Sequence, residues 1–124
     1  MQKGDLVPHF TVSTIDGDTV RYETSYWQRR NLVLVSTAGQ PAADYVKDLT
    51  ACVPDVDALS AGLVVTPDRV GPDDGPLLVV ADQWGEIVDV QRAARVDDLP
   101  GGAEVRRWLE YLEIRCPECE GEAK

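Results

Sequence analysis

The stretch "NLVLVSTAGQPAADYVKDLTACVP", residues 31–54, changes from one hydrophobic pattern to another within a few residues. Residues 31–35 form a short run rich in valine and leucine, which is typical of a strand buried on both faces. Pro41 suits a first helical turn, and the residue before Pro54 is pushed out of helical geometry. Between them, apolar residues recur at helical spacing: Ala42, Tyr45, Val46, Leu49, Cys52 and Val53. The stretch predicts a buried strand followed by an amphipathic helix.

The sequence on either side predicts more strands and one more helix. Upstream, "HFTVSTIDGDTVRY" places β-rich runs on both sides of Asp16-Gly17, which is a strong hairpin signal. Downstream, "AGLVVTPD", "PLLVVAD" and "EIVDVQRA" predict three strands, whereas the Gly- and Pro-dense "RVGPDDG" predicts a loop. A last helix is predicted over 103–115, with one apolar face: Val105, Trp108, Leu109, Leu112 and Cys116. The predicted order is hairpin, β, α, β, loop, β, β, α.

Length and charge narrow the function classes. The chain has 124 residues, enough for one core, and carries 22 acidic against 12 basic residues for a net charge of -10. That charge repels phosphate backbones, and no basic patch is present, so we expect no nucleic-acid binding. No apolar run is long enough to span a membrane, and no signal peptide is visible near the first residues. We therefore expect a cytoplasmic protein that does not bind membranes.

Three pieces of the chain carry a family resemblance: "GDLVPHFTVSTIDGDTVRY", "LVLVS" and "GPLLVVADQWGEIVDV". Together they resemble the thioredoxin fold in its peroxiredoxin-like form, the alkyl hydroperoxide reductase and thiol-specific antioxidant group. The resemblance implies an α/β fold with a central mixed β-sheet, an N-terminal β-hairpin and flanking helices. One helix would be replaced by the loop at "RVGPDDG", which would leave one sheet face poorly covered. Residues 1–115 would form this domain, and 116–124 an acidic C-terminal tail.

The resemblance also implies where a site would lie. In this fold the active centre faces the start of the helix that follows the central strand, opposite a cis-proline at the start of a later strand. Pro76 occupies the place of that proline, so we expect the Gly75–Pro76 bond to be cis. Ser36, Thr37 and Gln40, together with Pro76, would line a cleft that holds a peptide or another partner.

The chain departs from the family at the nucleophile. The family's cysteine belongs at the start of this helix, where the helix N-terminus lowers a thiol's pKa. Here "STAGQPAAD", residues 36–44, contains no cysteine. Ser36 and Thr37 cannot replace it, because an alcohol needs an adjacent base and the sole histidine, His9, is distant in sequence and expected at the surface. Peroxidase chemistry at the usual place is therefore not expected.

The remaining candidates for chemistry are the cysteines. Cys52 lies on the apolar stripe and is expected to be a buried hydrophobe. In "RCPECEGEAK", Cys116 and Cys119 have the spacing of a redox pair, but the end of a helix and nearby glutamates oppose a reactive thiolate.

Three interpretations of the pair stay open. It can be a reversible dithiol that exchanges with a protein thiol or disulfide partner. It can be half of a structural zinc site, completed in a two-fold dimer or by Cys52 and a carboxylate. Alternatively it only ends a helix and a loose tail. Without such zinc no cofactor is expected. Both a monomer and a homodimer are compatible with the sequence, and Tyr111 and Ile114, which point away from the apolar stripe, would form a small contact patch.

Overall fold

The computed structural model describes residues 2–15, 17–27, 30–52, 61–68, 70 and 75–114. The predicted order is confirmed, with two short additional helices. The elements are β1 (Thr11–Ser13), β2 (Thr19–Arg21), α1 (Tyr22–Ser25), β3 (Asn31–Ser36), α2 (Ala43–Cys52), β4 (Ala61–Thr66), β5 (Leu77–Ala81), β6 (Ile87–Arg92), a 3₁₀ helix (Val96–Asp98) and α3 (Gly102–Ile114). None of the described helices is long and apolar enough to cross a lipid bilayer.

Four strands form the central sheet in the order β4-β3-β5-β6. β3 and β4 are parallel and are connected through α2, whereas β5 and β6 run antiparallel to their neighbours. Every residue of β3 and β5 is buried, as the continuous apolar runs predict for inner strands. β1 and β2 form the separate N-terminal hairpin, with Val12 opposite Val20.

Both longer helices pack on one face of the sheet. Tyr45 and Leu49 of α2 join a core cluster with Val105, Leu109 and Leu112 of α3. The sheet contributes side chains at alternate strand positions to the same cluster: Val33, Val35, Val65, Leu78, Val80 and Val88. The apolar stripes predicted from the sequence are therefore the faces that bury these helices.

A segment at the N-terminus, residues 4–15, covers the other face and is called here the crossing segment. It begins at the edge of β6, where the Gly4 N–H donates to the Ile87 carbonyl over 2.9 Å. It ends at the edge of β4, where the Ile15 N–H donates to the Val65 carbonyl over 3.0 Å. Beneath it, Leu34 and Val79 have no exposed surface. The expectation that this face is poorly covered is wrong, because Val7 and Val12 of the crossing segment pack with Leu34 and Val79 in one buried cluster.

The Gly75–Pro76 bond is trans, so the predicted cis bond is also wrong. The trans form of an X–Pro bond is favoured by about 0.5–1 kcal/mol unless the surroundings select the other. Here Pro76 directly precedes β5, and its carbonyl accepts a hydrogen bond from the Ala93 N–H at 3.2 Å. A proline at the start of a strand loses no ladder hydrogen bond in either isomer, so the lower free energy of the trans form decides.

Candidate functional site

The loop between β3 and α2, residues 37–42, lies where the resemblance places an active centre. Ser36 is opposite Leu77 in the β3–β5 ladder, so the start of β5 with Pro76 lies beside the end of β3. The fold therefore brings Ser36, Thr37 and Pro76 together at one end of the inner strands β3 and β5. A small cavity of about 280 Å³ lies next to Pro76, lined also by Gly75, Arg92 and Ala93.

The hydroxyl of Ser36 is buried and already bonded. Ser36 is 1% exposed, and its Oγ donates to the Asp68 carbonyl over 2.7 Å. His9, the one imidazole, is at the other end of the sheet, because it packs against Tyr22, which reaches Gly85 beyond the end of β5. It is surface-exposed, as predicted, and pairs with Glu23 at 3.2 Å. Among the described residues, no side-chain base accepts a hydrogen bond from the hydroxyl of Ser36, which agrees with the sequence argument.

Gln40 connects the β3–α2 loop to the chain that follows β6. Its Nε2 donates to the Ala94 carbonyl and its Oε1 accepts from the Val96 N–H, both at 3.0 Å. The two residues before it adopt positive φ, 53° at Ala38 and 79° at Gly39. Both polar atoms of the amide are thus used inside the protein. A partner that binds at this loop would have to compete with these hydrogen bonds.

The first residue of α2, Ala43, is exposed and offers no reactive group. A helix N-terminus favours an anion or a thiolate, but the charged side chain in this first turn is the carboxylate of Asp44. The side chains at the start of α2 therefore include no thiol nucleophile. Nothing in the side chains of this loop replaces that function.

The cysteine predictions fall outside the described residues. Cys52 is the last residue of α2, but its side chain is not described, and Cys116 and Cys119 follow the described end of α3 at Ile114. Among the described residues no group of three or more potential ligands is placed to hold a metal ion. The dithiol and the dimeric zinc site both stay predictions.

A second concave site, which sequence reasoning missed, lies between α3 and the outer edge of β6. This α3–β6 groove has a volume of about 700 Å³ and is lined by Lys3, Glu86, Glu104, Arg107, Trp108 and Tyr111. The ring of Trp108 is partly buried, and Tyr111 meets it edge-on at 5.8 Å between centroids. The sequence places Trp108 on the apolar stripe and Tyr111 away from it. It carries no signal that Lys3 and Glu86 join them.

Comparison with known proteins supports the fold. No protein-family model matches the chain, and no curated protein sequence matches it. Among solved structures, the thiol peroxidase from Chromobacterium violaceum superposes with a TM-score of 0.57 at 13% sequence identity. The match covers 90% of this chain and 87% of that one. At this identity the likeness extends to the architecture only, and the chain has a thioredoxin-like fold.

Proposed function

We propose that the protein is a degenerate peroxiredoxin-like protein whose redox chemistry, where it acts as an enzyme, is thiol–disulfide exchange at Cys116 and Cys119. The observation that carries the proposal is the start of α2, where residues 36–44 contain no cysteine and the first helical residue is the exposed Ala43. The only closely spaced thiols in the sequence are the two of Cys-Pro-Glu-Cys. The proposal also takes the protein to be cytoplasmic, where thiols are kept reduced and a stable structural disulfide is rare.

The exchange reaction follows from ordinary thiol chemistry. One thiolate of the pair attacks a sulfur of the partner's disulfide, which forms a mixed disulfide and releases one partner thiolate. The second thiolate of the pair then attacks the mixed disulfide. This step oxidises the pair to a disulfide and leaves the partner as a dithiol. The reaction is slow at neutral pH if the thiols keep a pKa near or above the free value of about 8.5.

Alkylation and mass spectrometry in a series of glutathione redox buffers test this proposal. We expect Cys116 and Cys119 to lose two hydrogens together in oxidising buffers and to regain them in reducing ones. The matched control is Cys52→Ser, which should leave that transition unchanged. Two free thiols in every buffer would reject the dithiol.

A peroxide assay tests whether the β3–α2 loop lacks a nucleophile that reduces peroxide. Wild type should consume hydrogen peroxide only at the background rate, because an alcohol without a base is a poor nucleophile. The double variant Cys116→Ser, Cys119→Ser should behave in the same way. If peroxide consumption survives in this variant but disappears when Ser36 or Thr37 is changed, the proposal is wrong.

A second candidate function is a non-enzymatic binding or assembly module that uses the cleft of Ser36, Thr37, Gln40 and Pro76. The small cavity favours this alternative only at Pro76, which lines it together with Gly75, Arg92 and Ala93. A dimer with zinc shared between the C-terminal cysteines of two copies belongs to the same class. Elemental analysis of protein purified without chelator, together with sedimentation, tests the zinc dimer. A metal-free monomer at high concentration would exclude it.

A further inference from the structure

The α3–β6 groove already holds a cation against an aromatic ring. The Nζ of Lys3 lies 6.0 Å from the centroid of the Trp108 ring. Tryptophan gives the strongest cation–π attraction of the aromatic side chains, and at an exposed site the attraction is weak enough to exchange. Lys3 is exposed and lies in the short stretch before the crossing segment. The face of Trp108 is therefore accessible to another ammonium or guanidinium group that displaces Lys3.

The charges around the ring favour a cationic ligand once Lys3 has moved away. Glu86 and Glu104 line the groove and are exposed, whereas Arg107 is the remaining cation among the described residues of its lining. The whole chain has a net charge of -10. Its field attracts cations and repels anions, and it also opposes a second copy of the same chain. The groove thus fits a cationic occupant better than an anionic one.

The backbone beside the groove has room for an extended chain. Leu6 forms an antiparallel bridge with Glu86 at the outer edge of β6. The Gly4 N–H and the Asp5 carbonyl also bond to Ile87. Within the turn at Gln2–Asp5 the Asp5 N–H donates to the Gln2 carbonyl over 3.0 Å, and the described pairing with this edge ends at Ile87. Among the described residues, no other strand pairs there.

The register of β5 and β6 identifies a backbone group on this edge. The Ala93 N–H bonds to the carbonyl of the directly opposite Pro76. Because bonded pairs alternate along an antiparallel ladder, the N–H and carbonyl of Val90 point away from β5, toward the outer edge. Val88, which lines the groove, is the extra residue of a β-bulge in β6. A peptide that pairs with the outward groups of Val90 would therefore begin beyond this bulge rather than continue the Leu6 pairing in register.

We propose that the α3–β6 groove binds an extended, lysine- or arginine-bearing peptide segment, with one cationic side chain over Trp108 in the place that Lys3 takes. The segment adds to the outer edge of β6, and Glu86 and Glu104 attract its charge. This site is separate from the β3–α2 loop and needs no chemistry at Cys116 or Cys119. The proposal therefore stands or falls independently of the proposed function.

Calorimetric titration of the full chain with the peptide acetyl-Val-Lys-Val-Lys-Val-amide tests the proposal, with the glutamate analogue as the charge control. We expect the lysine peptide to bind, the glutamate peptide not to bind, and added NaCl to weaken binding. Trp108→Leu should weaken binding about threefold to thirtyfold, which corresponds to the range of one cation–π contact. Lys3→Ala should strengthen binding, since it removes the competing ammonium.

The matched control is Trp84→Leu, because Trp84 is an exposed tryptophan outside the groove, at 49% exposure. This variant should bind like wild type. The proposal is overturned if the lysine peptide does not bind at millimolar concentration, if the glutamate peptide binds equally well, or if Trp108→Leu has no more effect than Trp84→Leu. If circular dichroism shows that Trp108→Leu does not fold, the exposed substitution Lys3→Ala decides, and unchanged or weaker binding then overturns the proposal.

Discussion

The hydroxyl groups of two buried tyrosines, Tyr22 and Tyr45, differ in whether they have a hydrogen-bond partner. The Tyr45 hydroxyl donates to the Pro100 carbonyl over 2.7 Å and so connects α2 to the chain before α3. The Tyr22 hydroxyl has no hydrogen-bond partner among the described residues, although Tyr22 is only 1% exposed. A buried polar group without a partner loses its hydration and gains nothing in return. The same side chain therefore stabilises the fold at one position and opposes it at the other.

Replacing each tyrosine with phenylalanine should change stability in opposite directions. We expect Tyr22→Phe to raise the free energy of unfolding by about 1 kcal/mol, because it removes an unpaired buried hydroxyl. Tyr45→Phe should lower it by about 1 kcal/mol, because the Pro100 carbonyl loses its donor. Urea unfolding of both variants measures the difference. Two changes of the same sign would contradict this account.

The same residues predict a loss of stability in alkali. Burial, and then the negative charge of Asp82, raises the pKa of Tyr22 to about 12 from its ordinary value of 10.0. Burial, followed by Asp48 and Glu104, also raises the pKa of Tyr45. A raised pKa means that the folded state holds the proton more tightly than the unfolded state does, so the protonated phenols add to the free energy of unfolding. This contribution is complete below the unfolded pKa of about 10 and is lost as the pH rises above it.

Unfolding measured at pH 9 and pH 11 tests the alkaline effect. Wild type should lose on the order of 1 kcal/mol or more over this interval through these two phenols. Tyr22→Phe should lose less than wild type, while the exposed control Tyr111→Phe should match wild type. An equal loss in Tyr22→Phe and wild type would show that the Tyr22 phenol does not carry the effect.

At the scale of elements, a glycine in β4 allows this strand to pack closely against the chain that follows α1. A Cβ placed on Gly62 would lie 2.0 Å from Cε1 of Tyr26, a ring that is itself buried. Glycine inside a strand often marks such a close approach. The ring of Tyr26 therefore takes the volume that a side chain at position 62 would fill.

Gly62→Ala should destabilise the protein by about 1–3 kcal/mol, the usual effect of overpacking a core. Combining it with Tyr26→Leu, which removes the opposing ring, should recover part of that loss. A double-mutant cycle by urea unfolding measures the coupling between the two positions. Simple additivity of the two substitutions would mean that the ring and the alanine do not meet.

Elements that depend on local pattern could be predicted from the sequence, and contacts between distant segments could not. The apolar runs of β3 and β5 and the stripes of α2 and α3 follow from burial and periodicity alone. The Gln40 bridge to Val96, by contrast, joins loops that only the folded sheet brings together. Asp48 caps α3 in the same way, its Oδ2 accepting from the Gly102 N–H over 2.9 Å. A sequence pattern records that Asp48 is polar, but not which helix it caps.

The same difference between local patterns and contacts of distant segments explains which parts of the candidate site could be predicted. Ser36, Thr37 and Pro76 were predicted together because they depend on the strand order, which the family resemblance supplied. The isomer of Pro76 was predicted wrongly, since it depends on local surroundings rather than on the strand order. The α3–β6 groove was missed because its lining joins Lys3 near the N-terminus to Trp108 in the last helix.

At the scale of the whole molecule, unbalanced negative charge opposes a compact fold. The net charge of -10 is spread along the chain, so folding brings like charges together. Local ion pairs act in the other direction, for example Arg95 with Asp97 at 3.6 Å. These two side chains are more than half exposed, and such pairs contribute only about 0–1 kcal/mol each.

Moderate salt should therefore stabilise this protein. The screening length is about 30 Å at 0.01 M and about 8 Å at 0.15 M, whereas a domain of this size has a radius of gyration near 14 Å. Salt in this range thus screens repulsion across the molecule before it weakens pairs in contact. We expect the midpoint of urea unfolding to rise between 0.01 M and 0.15 M NaCl, and the rise to be smaller in the exposed charge-reversal variant Asp18→Lys. A midpoint that falls with salt would mean that the local ion pairs, not the net charge, dominate the electrostatic free energy of folding.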